Sequence, residues 1–94
     1  MLIKEHVYVG RPTTLRGIAE SGATVTNGGR LTCQGEIRDM LKIEPGGFAI
    51  VSGVVSGDIV NDGRLEVRGV VKGTISGEGI QRLRPGSMVN GIRN

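Results

Sequence analysis

The side chains best suited to nucleophilic or acid–base chemistry are scarce in this sequence, which has one histidine, His6, and one cysteine, Cys33. Nucleophilic catalysis needs such a group beside a base that activates it. His6 lies near the amino terminus and has no evident partner, so we expect a surface residue. Cys33 falls between Leu31 and Gly35 on a row predicted to face inward, where cysteine behaves as a small hydrophobic residue. We therefore predict no catalytic residue and a protein that is not an enzyme.

Metal and cofactor sites are not predicted either. His6 and Cys33 are too far apart in the sequence to build a metal-ligand cluster, unless carboxylates dominate it. The spaced glycines Gly69, Gly73 and Gly77 do not form a phosphate-binding loop, because no helix is predicted after them. The function is expected to depend on surfaces instead.

The composition restricts how the core can be built. The 94 residues include 17 glycines but only one Tyr, one Phe and no Trp. The core must therefore consist of small aliphatic side chains, in a single domain. Neither a collagen repeat nor the low hydrophobic content of a disordered chain is present.

The charge pattern and the single cysteine suggest where the protein works. The net charge of +3 comes mainly from scattered arginines, without the basic block or interleaved aromatics of a nucleic-acid binder, so no nucleic-acid partner is predicted. One cysteine cannot form an internal disulfide and suits a reducing compartment. We predict a cytoplasmic protein. A place at the inner face of the membrane is compatible with this but is not indicated by the opening residues MLIKEH.

Positions six residues apart are apolar along nearly the whole chain. Steps of six through Leu31 meet eight apolar residues and one threonine between Val7 and Val55, and the pattern resumes at Ile59 after a break at Asn61. Thirteen of the 15 positions are apolar, against 37% for the chain as a whole. Such regularity indicates an internal repeat.

A longer period is superimposed on this one. Gly17, Gly35 and Gly53 are 18 residues apart, and Gly69 follows after 16. The segments GRLTCQG, GFAIVSG and GRLEVRG repeat one pattern. Each follows a glycine-containing turn (NGG, PGG or NDG), and we expect the three turns to be equivalent.

Three six-residue segments per repeat predict a triangular coil with a short strand on each side. Stacked coils form a single-stranded parallel β-helix, in which residues one repeat apart lie about 4.8 Å apart. We predict an all-β solenoid of about five coils of 16–18 residues. The predicted inward ladders are Leu31, Ala49, Leu65 and Leu83; Ile37, Val55, Val71 and Val89; and Val25, Ile43 and Ile59.

Two structural alternatives remain open. Antiparallel hairpins with glycine turns could form a sandwich, although they would not keep one phase along the chain. A strict period of six is also typical of left-handed hexapeptide β-helices. The two-residue deletion near Asn61 favours a right-handed coil, because it indicates tolerance of varying coil length.

The segment Gly63–Ile75 has the pattern Gly-x-Leu-x-Val-x-Gly-x-Val-x-Gly-x-Ile, and VSGVVSGDI at 51–59 shares it. This pattern, over about residues 15–92, resembles the core repeat of the bactofilins, bacterial polymer-forming cytoskeletal proteins. The resemblance implies a right-handed triangular β-helix that polymerises end to end, without nucleotide, into filaments.

The ends of the β-helix are the first predicted contact surface. Open ends expose unpaired strand edges and core side chains, which natural proteins usually cover. The chain stops within its repeat near Ile92, and the amino end offers Val7 and Tyr8, so we expect copies to stack through these residues. Alternatively, residues 1–8 form a cap or tail on a single domain of residues 1–94, with repeats over about 9–92.

Two outward rows are the other predicted surfaces. The first is mostly apolar, as expected for a contact with another chain. Its members are Ile18, Glu36, Val54, Val70 and Met88. The second is a basic edge with a central aromatic residue, suited to an acidic partner protein or simply to solvent. Its members are Pro12, Arg30, Phe48, Arg64 and Arg82.

Three functions are compatible with these surfaces. The leading prediction is a non-enzymatic structural protein that assembles with itself through its ends. The first alternative is a small β-solenoid that binds one protein partner, such as an immunity, inhibitor or adaptor protein. The second is a non-catalytic remnant of a hexapeptide acyltransferase, an enzyme class that needs a catalytic histidine between coils.

Overall fold

The computed structural model describes residues 2–90 and the backbone of residues 92 and 93. This part of the chain forms seventeen short strands, which follow a path of three strands per coil. Each coil stacks in parallel on the previous one, so the molecule is a parallel β-helix of about five turns. The predicted fold class is thereby confirmed, while the handedness stays a prediction. Across the described residues, no helix has the length and apolar character that a membrane crossing requires.

The strands are assigned to coils as follows. Coil 1 has β1 (Leu2–Ile3), β2 (Val7–Val9) and β3 (Pro12–Leu15); coil 2 has β4 (Ile18–Ala19), β5 (Ala23–Val25) and β6 (Arg30–Cys33). Coil 3 has β7 (Glu36–Ile37), β8 (Leu41–Ile43) and β9 (Phe48–Val51); coil 4 has β10 (Val54–Val55), β11 (Ile59–Asn61) and β12 (Arg64–Val67). Coil 5 has β13 (Val70–Val71), β14 (Ile75–Ser76) and β15 (Ile80–Leu83), followed by β16 (Met88–Val89) and β17 (Ile92–Arg93).

The strands form three sheets, one on each side of the triangle. Sheet A has the order β1-β4-β7-β10-β13-β16-β17, sheet B the order β14-β11-β8-β5-β2, and sheet C the order β15-β12-β9-β6-β3. All pairs are parallel except the last, in which β17 runs antiparallel to β16. We call the turns between sheets the AB, BC and CA corners.

The core consists of aliphatic ladders that run along the axis inside the three sheets. Alternate residues of a strand point inward, so each two-residue strand of sheet A supplies one core residue and each longer strand of sheets B and C supplies two. Leu31, Ile37, Leu41, Ile43 and Ile59 are completely buried. No aromatic residue is part of this core, as the composition predicted.

The second predicted ladder is confirmed, since Ile37, Val55, Val71 and Val89 are aligned. The other two contain errors at their carboxyl-terminal members. Ile59 stacks on Leu41 rather than on Ile43. Leu83 stacks on Val67 rather than on Leu65.

Asn61 occupies the place above Ile43 from which the sequence pattern excluded it. It is only 2% exposed, and its amide is fully used. Nδ2 donates to the Ile80 carbonyl at 2.9 Å, and Oδ1 accepts from the Gly63 N–H at 3.1 Å. A buried amide is tolerated when it is hydrogen-bonded in this way.

Differences in length between coils are absorbed at the corners. The BC corner has two residues in coils 1 and 4 but four in coils 2 and 3. The NDG turn of coil 4 is therefore two residues shorter than the NGG and PGG turns, and the predicted equivalence of the three is wrong. The corresponding third turn is the four-residue CA corner after coil 5, Arg84–Ser87.

These four-residue corners share one backbone conformation. Gly28, Gly46 and Gly86 have φ of +86°, +86° and +89°. The residue after each glycine donates its N–H to the carbonyl three residues earlier, at 2.9–3.0 Å. Positive φ at the third position, with proline preceding it in two of the three, defines a type II turn, which glycine adopts without strain.

The 18-residue glycine period has a different cause at the CA corner. Gly17, Gly35, Gly53 and Gly69 lie above one another there, and a Cβ on Gly35 or Gly53 would collide with the carbonyl oxygen of the glycine below. The coils can approach to strand spacing at this corner only because the column lacks side chains.

Coil 1 is a regular coil of the solenoid. Leu2–Ile3 pairs with Ile18–Ala19, and Val7–Val9 pairs with Ala23–Val25, both in parallel register. The repeats thus extend to residue 2 rather than starting near residue 9. Residues 2–8 continue the solenoid instead of folding back across its end or leaving it as a tail.

Candidate assembly surfaces

At the amino-terminal end, each of the three sheets ends in a strand of coil 1. β1, β2 and β3 pair on one side only, with β4, β5 and β6. Their other edges carry backbone groups that can pair with another chain.

The core is open at this same end. A cavity of about 460 Å³ enters it, with Ile3, Val7 and Leu15 of coil 1 on its walls and Leu31 of coil 2 at its base. Ile3 and Val7 are only partly buried, whereas the equivalent residues of coil 2, Ala19 and Ala23, are fully buried. The end thus presents apolar side chains inside a frame of free strand edges.

Thr13 accounts for the opening. It occupies the inward position above Leu31, where coils 3 and 4 have Ala49 and Leu65. Its side chain is exposed, and its hydroxyl donates to the Arg11 carbonyl at 3.0 Å. Because threonine is smaller than leucine and turns its hydroxyl to the backbone, the cavity is left unfilled.

The carboxyl-terminal end is different. β14 and β15 end sheets B and C with free edges, and the inward position above Leu65 holds the exposed Gln81. In sheet A the chain reverses, so that β17 pairs with β16 through a turn in which Asn90 has φ of 49°. The expectation that the chain stops within its repeat is therefore wrong, because its last strand leaves the helical path.

The residues predicted at the ends have different positions. Val7 faces the amino-terminal cavity, as a stacking contact requires. Tyr8 is on the same edge strand but points outward, is 73% exposed and lies edge-on to His6 at 4.8 Å between ring centroids. Ile92 is in β17 opposite Val89, and its side chain is outside the described part of the structure.

The predicted apolar row lies along the outside of sheet A. Register places Ile18, Glu36, Val54, Val70 and Met88 directly above one another, and all five are partly exposed. The row also includes Leu2, which is 44% exposed and was missed because coil 1 was not recognised.

Glu36 divides this row into two apolar parts. Its carboxylate accepts a hydrogen bond from the Ser56 hydroxyl at 2.8 Å and lies 3.6 Å from Arg38. The longer part, Val54, Val70 and Met88, lies near the carboxyl-terminal end.

The predicted basic row lies on sheet C and needs one correction. Pro12, Arg30, Phe48 and Arg64 are aligned, but the next member is Ile80, not Arg82. Arg82 belongs to the neighbouring outward row, above Glu66. The shorter BC corner of coil 4 shifts the later rows by two residues, which an 18-residue period does not anticipate.

His6 and Cys33 both have structural surroundings. The Ser21 carbonyl can only accept, so His6 Nδ1 donates to it at 2.8 Å, while Nε2 lies 2.7 Å from the Thr24 hydroxyl. Cys33 is completely buried, and burial raises the pKa of its thiol to about 11. The thiol is therefore protonated at neutral pH, as expected for a core residue.

In comparisons with models of protein families, with curated proteins and with solved structures, nothing matches this chain.

Proposed function

We propose that the protein is a non-enzymatic structural protein that assembles with itself through the ends of its β-helix, as a bactofilin-like scaffold of filaments or oligomers. The observation that carries the proposal is the amino-terminal end. Three free strand edges surround an open apolar core there, and a second copy would cover both at once.

The surroundings of the reactive side chains support a role without catalysis. Both ring nitrogens of His6 are engaged by Ser21 and Thr24, and Cys33 is protonated inside the core. An acyltransferase remnant would be compatible with these facts too, but no described feature favours it. The free buried thiol suits a cytoplasmic location.

Thr13 offers the sharpest test of association through the ends. Thr13→Arg places a long charged side chain across the mouth of the cavity without replacing a buried residue. The matched control is Thr32→Arg, which adds the same charge to an outward position one coil further in. Light scattering over a concentration series and negative-stain electron microscopy would measure assembly.

We expect particles that grow with concentration for the unmodified protein and for Thr32→Arg, and a monomer for Thr13→Arg with an unchanged circular dichroism spectrum. A monomeric unmodified protein at high concentration, in low and moderate salt, would refute the proposal. Equal assembly of both variants would move the contact away from the amino-terminal end.

A second candidate function is binding of one protein partner. The observation in its favour is that the reversed strand β17 makes the carboxyl-terminal end unlike the amino-terminal one. Discrete particles in the micrographs, instead of filaments, would support this alternative.

A further inference from the structure

The charges of this solenoid are segregated around its axis. Sheet C and the adjoining CA corner carry six of the nine arginines and a single acidic residue, Glu66. The arginines are Arg16, Arg30, Arg64, Arg68, Arg82 and Arg84. All other acidic residues lie on sheets A and B and on the AB and BC corners. One side of the molecule is thus strongly basic despite the modest net charge.

Three of these arginines are free to bind an anion. Glu66 is already engaged by Arg68, within the same strand and corner. Among the described residues, no carboxylate lies within ion-pair distance of Arg30, Arg64 or Arg82. Their charges are therefore uncompensated on one face.

Phe48 holds two of them in place. The guanidinium carbon of Arg30 lies 5.5 Å from the centre of the Phe48 ring, and that of Arg64 lies 5.9 Å from it. A guanidinium stacked on an aromatic ring keeps its N–H edge available for a bidentate contact with a carboxylate. The two arginines are thus preorganised, which reduces the entropy lost on binding.

An apolar groove lies beside these charges. It has a volume of about 310 Å³ and is lined by Phe48, Arg64, Leu65, Glu66, Ile80 and Arg82. Ile80 is 64% exposed, which is unusual for a large aliphatic side chain in a strand. The groove therefore offers an apolar contact between two free arginines, Arg64 and Arg82.

We propose that this face of sheet C binds an extended acidic segment of a partner protein, with an apolar side chain in the groove and a carboxylate on either side of it. In an extended segment, residues i, i+2 and i+4 point the same way and span about 13 Å. An acidic–x–apolar–x–acidic sequence would therefore place its carboxylates over Arg64 and over Arg30 or Arg82. The proposal does not rest on association through the ends.

The chemistry of the face favours a peptide over single-stranded nucleic acid. Binding of single strands depends on aromatic rings whose faces are open for stacking with bases. The Phe48 ring is flanked by Arg30 and Arg64, and neither of the other aromatic side chains, His6 and Tyr8, is on sheet C.

The test uses the full chain and a blocked, fluorescently labelled peptide, Gly-Ser-Glu-Gly-Leu-Gly-Glu-Ser-Gly, measured by fluorescence anisotropy at low salt. One control peptide has Gln in place of both Glu, and another has Ser in place of Leu. Arg64→Gln removes a proposed contact. Arg11→Gln removes the same charge at the BC corner of coil 1 and is the matched control.

We expect the acidic peptide to bind, and Arg64→Gln to weaken its binding about tenfold or more, as for the loss of a charge-assisted hydrogen bond. Arg11→Gln should stay within about twofold, and both control peptides should bind more weakly. Raising the salt concentration should weaken binding. Unchanged melting curves would show that both variants fold.

Three results would overturn the proposal. The first is no binding of the acidic peptide. The second is equal binding by Arg64→Gln. The third is Arg64-dependent binding of oligo(dT) or of vesicles containing an anionic lipid, with no binding of the peptide, which would assign the face to nucleic acid or to a membrane.

Discussion

At the scale of single residues, Asn61 illustrates how this core accepts a polar side chain. Its inward position in coil 4 is aligned with Ile43 and Val25, yet both ends of its amide are hydrogen-bonded. The bond to Ile80 joins coil 4 to the edge strand of coil 5. A residue that breaks the apolar pattern thus holds the last coil in place.

Cys33 is the opposite case, a reactive residue type without access to solvent. It lies between Leu15 and Val51 in an inward ladder, and its sulfur is 3.6 Å from the Gly35 carbonyl. Burial disfavours the charged thiolate, which is why its pKa is raised.

We therefore predict that Cys33 does not react with a disulfide reagent such as DTNB at pH 8 until the protein unfolds. Below pH 9 the thiol is protonated in both the folded and the unfolded state, so it does not affect stability. Between pH 9 and 11 only the unfolded chain loses the proton, so the free energy of unfolding should fall. Cys33→Ala, measured by urea denaturation, should lack this part of the pH dependence; rapid labelling of the native protein would contradict the prediction.

At the scale of elements, the corners decide which residues stack on one another. Removing two residues from a corner keeps the inward or outward direction of every later residue, because strand side chains alternate with a period of two. It shifts each later residue to the neighbouring row, however. The sequence pattern therefore predicted that Leu83 points inward and Arg82 outward, but assigned them to the wrong rows.

The same reasoning explains what else the sequence could not predict. A count of apolar positions treats Asn61 as a break, since hydrogen bonds to the next coil are invisible in it. The cavity beneath Thr13 depends on the size of one side chain at an end, and β17 reverses direction over two residues. These features depend on local geometry that periodicity does not encode.

The glycine column at the CA corner yields a prediction about stability. Gly53→Ala should destabilise the protein by at least about 3 kcal/mol, because its Cβ meets backbone atoms of Gln34 and Gly35 that cannot move without separating the coils. The control is Gly28→Ala, where no atom lies within 4 Å of the added carbon and only the positive φ is unfavourable. Its cost should be about 1–2 kcal/mol. Equal effects in thermal or urea denaturation would show that the column is not tightly packed.

At the scale of the whole molecule, each side of the triangle has its own surface chemistry. Sheet A presents an apolar row divided by Glu36, and sheet C presents free arginines around Phe48. The ends are separate from both. Contacts along the axis and contacts at the sides can therefore be altered independently.

The row on sheet A should mediate contacts between neighbouring filaments or with a partner chain. Val54→Lys combined with Val70→Lys should abolish lateral association in electron micrographs, since two adjacent charges replace its centre. Axial association and the melting temperature should change little. Val60→Lys with Ser76→Lys places the same pair on adjacent strands of sheet B and is the control. Bundles that survive the change on sheet A would exclude this row as the contact.

Sheet A has seven strands, whereas sheets B and C have five each. At strand spacing, the two additional strands raise one side of the carboxyl-terminal end by about 10 Å. Another molecule resting on that end would meet an inclined surface rather than a level one. A filament with such a joint would curve away from sheet A, and shortening β16 and β17 would straighten it.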